Sequence, residues 1–239
     1  MQDVAERRVL LLSSSRVHGQ SYLEHAEATI RDFLQKGARV LFVPYALYDH
    51  DAYAEVACPR FRAMGYACES IHRSADPHRA VLEAEAVFVG GGNTFRLLKT
   101  MYDLQLLGLV RNRVREGMPY IGSSAGSNLA CPTIRTTNDM PIVEPPSLQA
   151  LCLVGFQLNP HYLDSDASST HMGETREQRL REYLEENHVP VIGLREASLL
   201  KALGSQVSLL GPAAARVFRR GAEPKEMPSG SVFTDSLEI

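Results

Sequence analysis

The stretch Tyr120-Ile121-Gly122-Ser123-Ser124-Ala125-Gly126 joins an apolar run to a segment of small and helix-forming residues. It fits G-x-S-x-G, the turn between a strand and a helix that lifts a serine above the edge of a sheet. Small flanking residues matter because the turn is tight and uses backbone angles that bulky side chains disfavour. An ordinary glycine- and serine-rich helix cap has the same pattern. A catalytic role for Ser124 therefore depends on what the rest of the chain supplies.

Short apolar strands alternate with amphipathic helices on both sides of this turn. Strands are predicted at residues 8–12, 40–43, 67–72, 86–89, 119–121, 151–158 and 189–194, and helices at 21–34, 52–64, 106–116 and 174–186. A short helix is also predicted to start at Asp76-Pro77, and another to follow the cap Asn93-Thr94. The alternation predicts one α/β domain over residues 1–239, with a doubly wound, mostly parallel sheet and helices on both faces. Residues 197–218, with turns at Gly204 and Gly211, predict a small antiparallel C-terminal extension. The polar residues from 221 onward are expected to cover an edge or to fray.

Composition and charge narrow the class of protein. The 239 residues are enough for one sizeable core, and 44% hydrophobic with 22% charged residues is typical of a soluble globular protein. A formal net charge of -3 does not favour nucleic-acid binding, and no apolar run is long enough to cross a membrane. The 4 cysteines are scattered without a C-x-x-C pair, which favours reduced thiols and a cytoplasmic location.

Four loops that follow apolar strands carry candidate chemistry: Gly90-Gly91-Gly92, Ser124, His161 and Glu196. In a parallel sheet such strand ends lie at one edge, where these folds place ligands and catalysis. A serine nucleophile needs a base to take its proton and an acid to orient that base. Ser124, His161 and Glu196 would fill these roles in chain order.

Other residues compete for the base and acid roles. Among the 8 histidines, His171 in a polar loop is the main rival of His161, which Pro160 fixes just after a strand. For the acid, Asp139, Glu144 and Asp164 are alternatives to Glu196. We favour Glu196 because it directly follows a predicted strand, whereas its rivals lie in polar excursions whose geometry the sequence does not define.

The triple glycine could bind an oxyanion or a phosphate through backbone N–H groups, or it could be a tight packing turn. A phosphate-binding P-loop would need a lysine followed by Ser or Thr, and Asn93-Thr94-Phe95 lacks this pair. The oxyanion interpretation also uses the N–H of Ala125, the residue after the serine. Asp49-His50-Asp51 contains metal-ligating residue types but no spaced partner, so no metal site is predicted.

The segment Gly173–Arg179 (GETREQR) opens a predicted helix, and Thr175 with Gln178 fits a capping box. Its arginines either form a solvated helix face or provide a fork for a substrate carboxylate. From the segment by itself, the solvated face is the favoured interpretation.

Several segments together resemble the peptidase E, or α-aspartyl dipeptidase, family of serine peptidases. The matching text comprises VGGGNTF (89–95), YIG (120–122), SAGSNLA (124–130), CPTIRTTNDMPIV (131–143), NPH (159–161), GETREQR (173–179) and IGL with Glu196 (192–196). These segments follow one another in order over nearly the whole chain. One departure is Ser123, at a position that is often tryptophan in bacterial members. The loop from 163 to 171 also departs from the family pattern.

The resemblance implies a fold similar to that of the class I glutamine amidotransferases, a flavodoxin-like arrangement. It implies a cytoplasmic exopeptidase, monomeric or homodimeric, that removes N-terminal aspartate from Asp-X dipeptides. No cofactor, metal, nucleic acid or membrane would take part.

Site residues carried over from the resemblance extend those named from the sequence. Ser124, His161 and Glu196 would be nucleophile, base and acid, and it stays open whether Asp139 shares the acid role. The backbone of Gly91, Gly92 and Ala125 would form the oxyanion hole. The substrate carboxylate would meet Arg176, with Asn93 and Thr137 nearby.

Two alternatives remain beside this interpretation. One is hydrolysis of a β-linked aspartyl polymer, as in the related cyanophycinases. The other is a catalytically silent module that binds acidic peptides.

Overall fold

The computed structural model describes residues 6–165 and 172–237. Within these ranges the backbone forms strands of three to five residues, arranged in two sheets. The strands are β1 (Arg8–Leu12), β2 (Arg39–Val43), β3 (Ala67–Ser70), β4 (Ala86–Val89), β5 (Tyr120–Ser123), β6 (Gln157–Pro160), β7 (Val191–Leu194), β8 (Leu199–Leu203), β9 (Gln206–Leu210), β10 (Ala215–Phe218), β11 (Lys225–Met227) and β12 (Val232–Thr234).

The larger sheet has eight strands in the order β12-β9-β8-β1-β5-β4-β2-β3. The five strands from β1 to β3 in this order are parallel. Three further strands extend the sheet through antiparallel pairings, β8 with β1, β9 with β8 and β12 with β9. This confirms the predicted mostly parallel α/β fold. The hairpin predicted at Gly204 is β8–β9. The polar C-terminal residues cover an edge as β12, which pairs with β9.

The second sheet differs from the prediction. It has the order β11-β10-β7-β6, in which β6 and β7 are parallel to each other and β10 and β11 are antiparallel. The strands that precede His161 and Glu196 therefore pair with each other and not with β5. Their apolar residues signalled burial, but the neighbour of a buried strand is decided by long-range packing.

The helices are α1 (Glu27–Phe33), α2 (His50–Ala63), α3 (Pro77–Glu83), α4 (Thr94–Asp103), α5 (Leu106–Arg115), α6 (Ala125–Ala130) and α7 (Arg176–Glu186). Helices α1 and α2 pack on one face of the larger sheet, against side chains such as Leu10 and Phe42. Helices α4, α5 and α6 pack on the other face, against Val9 and Val89. Both faces are thus covered, as expected for parallel strands. None of the described helices is long and apolar enough to cross a bilayer.

Two predicted elements are shorter in the structure. The helix expected at 21–34 begins at Glu27, because Leu23 has a left-handed backbone (φ 56°) and a 3-10 turn follows it. The strand expected at 151–158 begins at Gln157. The N–H groups of residues 151–153 instead bond to carbonyls of residues 129–131 at the end of α6, which satisfies a helix terminus.

The turn between β5 and α6 is held by very close packing of glycine backbone. A Cβ added to Gly126 would lie 2.1 Å from the carbonyl oxygen of Val89, at the end of β4. A Cβ on Gly122 would lie 2.5 Å from the carbonyl oxygen of Gly126. The Tyr120 hydroxyl donates to that same Gly126 oxygen at 2.6 Å. Glycine is required at these positions because backbone occupies the space of a side chain.

We expect Gly126→Ala to lower the free energy of unfolding by about 3 kcal/mol, since rigid backbone cannot move away from the added methyl group. Gly108→Ala is the matched control. Gly108 is exposed within α5, and nothing lies within 4 Å of an added Cβ. The control should raise stability by about 0.5–1 kcal/mol through helix propensity. Urea unfolding curves measure both, and equal stability of the two variants would contradict the packing argument.

Candidate active site

Ser124 occupies a strained turn between β5 and α6. Its backbone angles are φ 51° and ψ −108°, a conformation that few non-glycine residues adopt. The Ser124 N–H donates to the carbonyl of Leu12 at 3.0 Å, which ties the turn to the end of β1. The Ser124 side chain is half-buried and lines a cavity, whereas the neighbouring Ser123 is fully buried. The geometry therefore presents Ser124, and not Ser123, to a substrate.

His161 and Glu196 meet beside Ser124. His161 Nε2 lies 2.9 Å from Ser124 Oγ, and His161 Nδ1 lies 2.5 Å from Glu196 Oε1. Both side chains are just over 40% exposed, so water and a substrate can reach them. His161 itself has a positive φ of 53°, and Ala197 after Glu196 has 62°. The three residues form the relay expected of a serine nucleophile, its base and an orienting acid.

Ser13, at the end of β1, links the two sheets behind this triad. Its buried Oγ donates to the carbonyl of Leu194 at 2.8 Å and accepts from the backbone N–H of His161 at 2.9 Å. The Ser13 N–H donates to the carbonyl of Ser198 at 3.0 Å. The ends of β1, β6 and β7 are therefore held in one place by a single hydroxyl.

The glycine loop after β4 lies against Ser124. A Cβ on Gly91 would be 3.1 Å from Ser124 Cβ and 3.7 Å from Ser124 Oγ. The Gly91 N–H, however, donates to the Tyr53 hydroxyl at 2.8 Å. Within the described residues, the N–H groups of Gly92 and Ala125 have no protein acceptor. Of the three predicted oxyanion donors, Gly91 is thus occupied and the other two are free.

Tyr53 and Tyr22 form a buried pair at the base of the cavity. Their rings meet edge to face with centroids 6.4 Å apart, and their hydroxyls are 3.4 Å apart. Burial raises the pKa of Tyr53, and burial together with the neighbouring Tyr53 raises the pKa of Tyr22 well above its usual value. Both side chains are therefore neutral phenols at physiological pH. A neutral Tyr53 hydroxyl still accepts the Gly91 N–H.

A polar cluster that includes Arg176 contacts the strand end that carries His161 and does not line the cavity. Arg176 donates to Asn138 Oδ1 at 2.5 Å, and Asn138 Nδ2 donates to the carbonyl of Pro160 at 2.7 Å. Burial lowers the pKa of the Arg176 guanidinium, and the charge of Arg179 acts in the same direction. The charge of Asp139 opposes this shift, but among the described residues no carboxylate forms an ion pair with Arg176. A partly desolvated guanidinium of this kind favours an incoming anion.

The predicted residues Asp139, Thr137 and Asn93 are engaged at the start of α4. Asp139 Oδ2 accepts from the Thr94 N–H at 2.8 Å and the Thr94 hydroxyl at 2.5 Å, and lies 3.0 Å from Thr137 Oγ1. Asn93 caps α4 by accepting from the Arg96 N–H at 3.0 Å. Asp139 is thus an anchor of a helix N-terminus, and Glu196 is the carboxylate that contacts His161.

The other residues that the sequence offered for the acid and base roles are Asp164, Glu144 and His171. Asp164 forms a two-point ion pair with Arg195 at 2.7 and 2.8 Å, which lowers the pKa of the Asp164 carboxyl. Glu144 is exposed and lines a separate groove beside Phe95. His171 lies outside the described residues.

Comparison with known proteins identifies the family. The model of peptidase family S51 matches residues 9–210. The chain belongs to peptidase family S51. It is therefore a peptidase. All of the segments that resemble the peptidase E family lie within the matched range.

Relatives agree with this assignment along nearly the full chain. The chain is 54% identical to a peptidase E of Streptomyces coelicolor over 97% of its own length and 95% of the relative's. It is 47% identical to a probable alpha-aspartyl dipeptidase of Drosophila melanogaster over 92% of its own length and 93% of the relative's. A solved structure of a peptidase from an acI-B1 actinobacterium superposes with a TM-score of 0.70 at 14% identity, covering 97% of each chain, which supports the fold.

Three residues of this S51 peptidase site were missed from the sequence: Ser13, Tyr53 and Asn138. Ser13 follows a predicted buried strand, so its position at the sheet edge was available as a signal. Tyr53 lies within α2, where its spacing indicated only a buried helix face. Asn138 lies in an irregular segment whose path the sequence did not define.

We expect Ser13→Ala to lower kcat for peptide hydrolysis roughly tenfold to hundredfold, because the His161 backbone loses the contact that positions its ring. The buried N–H left without a partner should also cost about 1–3 kcal/mol of stability. Steady-state kinetics and urea unfolding measure the two effects. The control is Ser205→Ala, at an exposed turn position, which should change neither quantity. Unchanged kcat in a folded Ser13→Ala variant would contradict the positioning role.

Proposed function

We propose that this S51 peptidase is a serine exopeptidase that releases N-terminal aspartate from Asp-X dipeptides through an acyl-enzyme. The observation that carries the proposal is the continuous relay from Ser124 Oγ to His161 to Glu196, at 2.9 and 2.5 Å. The names of the relatives in Streptomyces and Drosophila favour an aspartyl dipeptidase. No residue of this relay needs to move to begin proton transfer.

In the first half of the reaction, Ser124 Oγ attacks the carbonyl carbon of the aspartyl residue. His161 Nε2 takes the hydroxyl proton, and Glu196 stabilises the resulting imidazolium through Nδ1. The carbonyl oxygen becomes an oxyanion near the N–H groups of Gly92 and Ala125, whose lack of protein acceptors supports this role. Gly91 would contribute only after its N–H leaves the Tyr53 hydroxyl.

Collapse of the tetrahedral intermediate breaks the C–N bond. His161 returns the proton to the departing amine, which leaves as the amino group of X. Water then attacks the aspartyl ester with His161 again as base, and the second collapse frees aspartate and regenerates the Ser124 hydroxyl. The overall reaction consumes one water molecule for each peptide bond that is broken and needs no other reactant.

Selectivity for aspartate is proposed to come from Arg176. Its guanidinium is half-buried, donates to the neutral amide of Asn138, and is held beside the strand end that carries His161. A substrate carboxylate would complete a charge-assisted pair there. An uncharged side chain would leave a desolvated cation without its partner, which penalises the wrong substrate.

We expect Ser124→Ala to reduce Asp-Leu hydrolysis by at least about 10⁴-fold, because the relay loses its nucleophile. Ser123→Ala is the matched control and should keep near-normal activity, since the Ser123 side chain is buried away from the cavity. Steady-state assays on both purified variants measure this. Retained activity in Ser124→Ala with loss in Ser123→Ala would refute the assignment of the nucleophile.

A fluorophosphonate should label the wild type at Ser124, and peptide mass mapping identifies the modified residue. Binding of Asp-Leu without labelling or turnover would instead indicate the silent binding module. Preference for a β-linked aspartyl polymer over Asp-Leu would indicate the cyanophycinase-like alternative.

We expect Arg176→Gln to lower kcat/KM for Asp-Leu about 100-fold and to change kcat/KM for Asn-Leu little, because only the carboxylate pairs with the guanidinium. Arg179→Gln is the control, since Arg179 lies one turn along α7, is exposed and pairs with Glu174 at 3.5 Å. It should leave both values near the wild type. Equal losses for the two substrates would refute the role of Arg176 in selectivity.

A further inference from the structure

The cavity beside the nucleophile holds a second arginine that the proposed reaction does not yet use. This cavity has a volume of about 590 Å³ and is lined by both Ser124 and His161. Arg16, in the loop after β1, lines it as well. The guanidinium of Arg16 lies over the ring of Tyr22, 5.6 Å from the centroid. Its direction is therefore set by a cation–π contact at the cavity wall.

The backbone on both sides of Arg16 is held in place. The carbonyl of Ser15 accepts from the Leu23 N–H at 2.8 Å, and the carbonyl of Val17 accepts from the Gln20 N–H at 3.1 Å. The same loop begins at Ser13, whose hydroxyl contacts the His161 backbone. Arg16 is thus positioned relative to the catalytic histidine and is not on a free terminus.

The Arg16 side chain has no carboxylate partner within residues 6–165 and 172–237, and no hydrogen bond of its guanidinium is found there. Asp49 provides the one carboxylate among the described residues of the cavity wall, and it caps α2 by accepting from the Ala52 N–H at 2.9 Å. Most of the remaining wall is apolar or aromatic, including Leu47, Ala52 and Val56. The cavity therefore combines an apolar surface with one unpaired cation.

The two arginines differ in their relation to the cavity. Arg176 and its partner Asn138 do not line the cavity, whereas Arg16 does. The departing amine must lie beside His161 Nε2, because it receives its proton from there. With the aspartyl side chain at Arg176, the residue beyond the broken bond enters the cavity on the Arg16 side.

We propose that Arg16 binds the C-terminal carboxylate of the substrate, and that the apolar wall takes the side chain of the leaving residue X. This inference rests on the proposed function and adds a subsite to it. In a dipeptide, the leaving residue carries its carboxylate one carbon from the departing nitrogen, so a cation on the histidine side selects short substrates with a free C-terminus. A longer peptide places a neutral amide at this position and leaves Arg16 unpaired.

The test compares Asp-Leu with its C-terminal carboxamide, Asp-Leu-NH2, in the wild type and in Arg16→Gln. The wild type should favour the free acid by roughly tenfold or more in kcat/KM, as expected for one charge-assisted contact. Arg16→Gln should lose about that factor with Asp-Leu and stay within about twofold with the carboxamide. The preference for a free carboxylate would then disappear.

Arg96→Gln is the matched control. Arg96 also lies over a tyrosine ring, 5.9 Å from the centroid of Tyr48, but it does not line the cavity. Its substitution should leave both substrates and their ratio unchanged. A wild type that does not distinguish the two substrates, or an Arg16→Gln variant that slows both equally, would overturn the subsite.

A binding measurement separates failure of this subsite from failure of the proposed reaction. Calorimetry with the Ser124→Ala variant should show tighter binding of Asp-Leu than of Asp-Leu-NH2, and Arg16→Gln in that background should remove the difference. If the wild type hydrolyses neither compound but this binding difference is present, the reaction is wrong and the carboxylate site stands. If Asp-Leu is hydrolysed without any such difference, the subsite is wrong and the reaction stands.

Discussion

The hydroxyl of Ser13 holds together strand ends that belong to two different sheets. It must donate to the carbonyl of Leu194 and accept from the N–H of His161 at the same time, and among small side chains a hydroxyl can do both. Because Ser13 is fully buried, water cannot replace either contact. The strand that ends at Ser13 pairs with β5, and the carbonyl of Leu12 holds the N–H of Ser124. The Ser13 hydroxyl therefore ties the strand end beside Ser124 to the strand ends that carry His161 and Glu196.

Backbone packed against backbone defines the other side of the nucleophile. Gly126 lies against the carbonyl of Val89, and a Cβ on Gly90 would be 2.5 Å from the Tyr53 hydroxyl. The same hydroxyl holds the Gly91 N–H. The glycine loop is thus fixed between α2 and the Ser124 turn before any substrate is bound. The Gly92 N–H in this loop has no acceptor among the described residues, and in the proposed reaction such a preorganised group stabilises a developing negative charge without first having to reorient.

The proposed function assigns the two arginines near the relay to the carboxylates of the substrate. In the proposed binding mode, Arg16 lines the cavity and Arg176 lies beside the strand end that carries His161, and neither guanidinium forms an ion pair with a described carboxylate. Elsewhere, arginines such as Arg195 are neutralised by neighbouring acids, here Asp164 and Glu226. An unpaired, partly desolvated cation is costly for a folded protein, and a bound carboxylate relieves that cost. Arg176 is such a partly desolvated cation, whereas Arg16 is exposed, and in the proposed binding mode the two bind the two carboxylates of an Asp-X dipeptide.

The sequence by itself determined the strands, most helices and the chemistry of the strand ends, because these depend on local pattern. The run before Gly122 predicts β5, the capping box at Thr175 starts α7 as expected, and Ser124, His161 and Glu196 each follow a strand. Only the tertiary structure decided that β6 and β7 form a second sheet, that Tyr53 holds Gly91, and that Arg16 faces the cavity. Ser13 is 181 residues from Leu194 and 148 from His161. Contacts over such separations leave no periodic pattern in the chain, because they depend on how whole layers pack. Local secondary-structure propensity does not predict which layers meet.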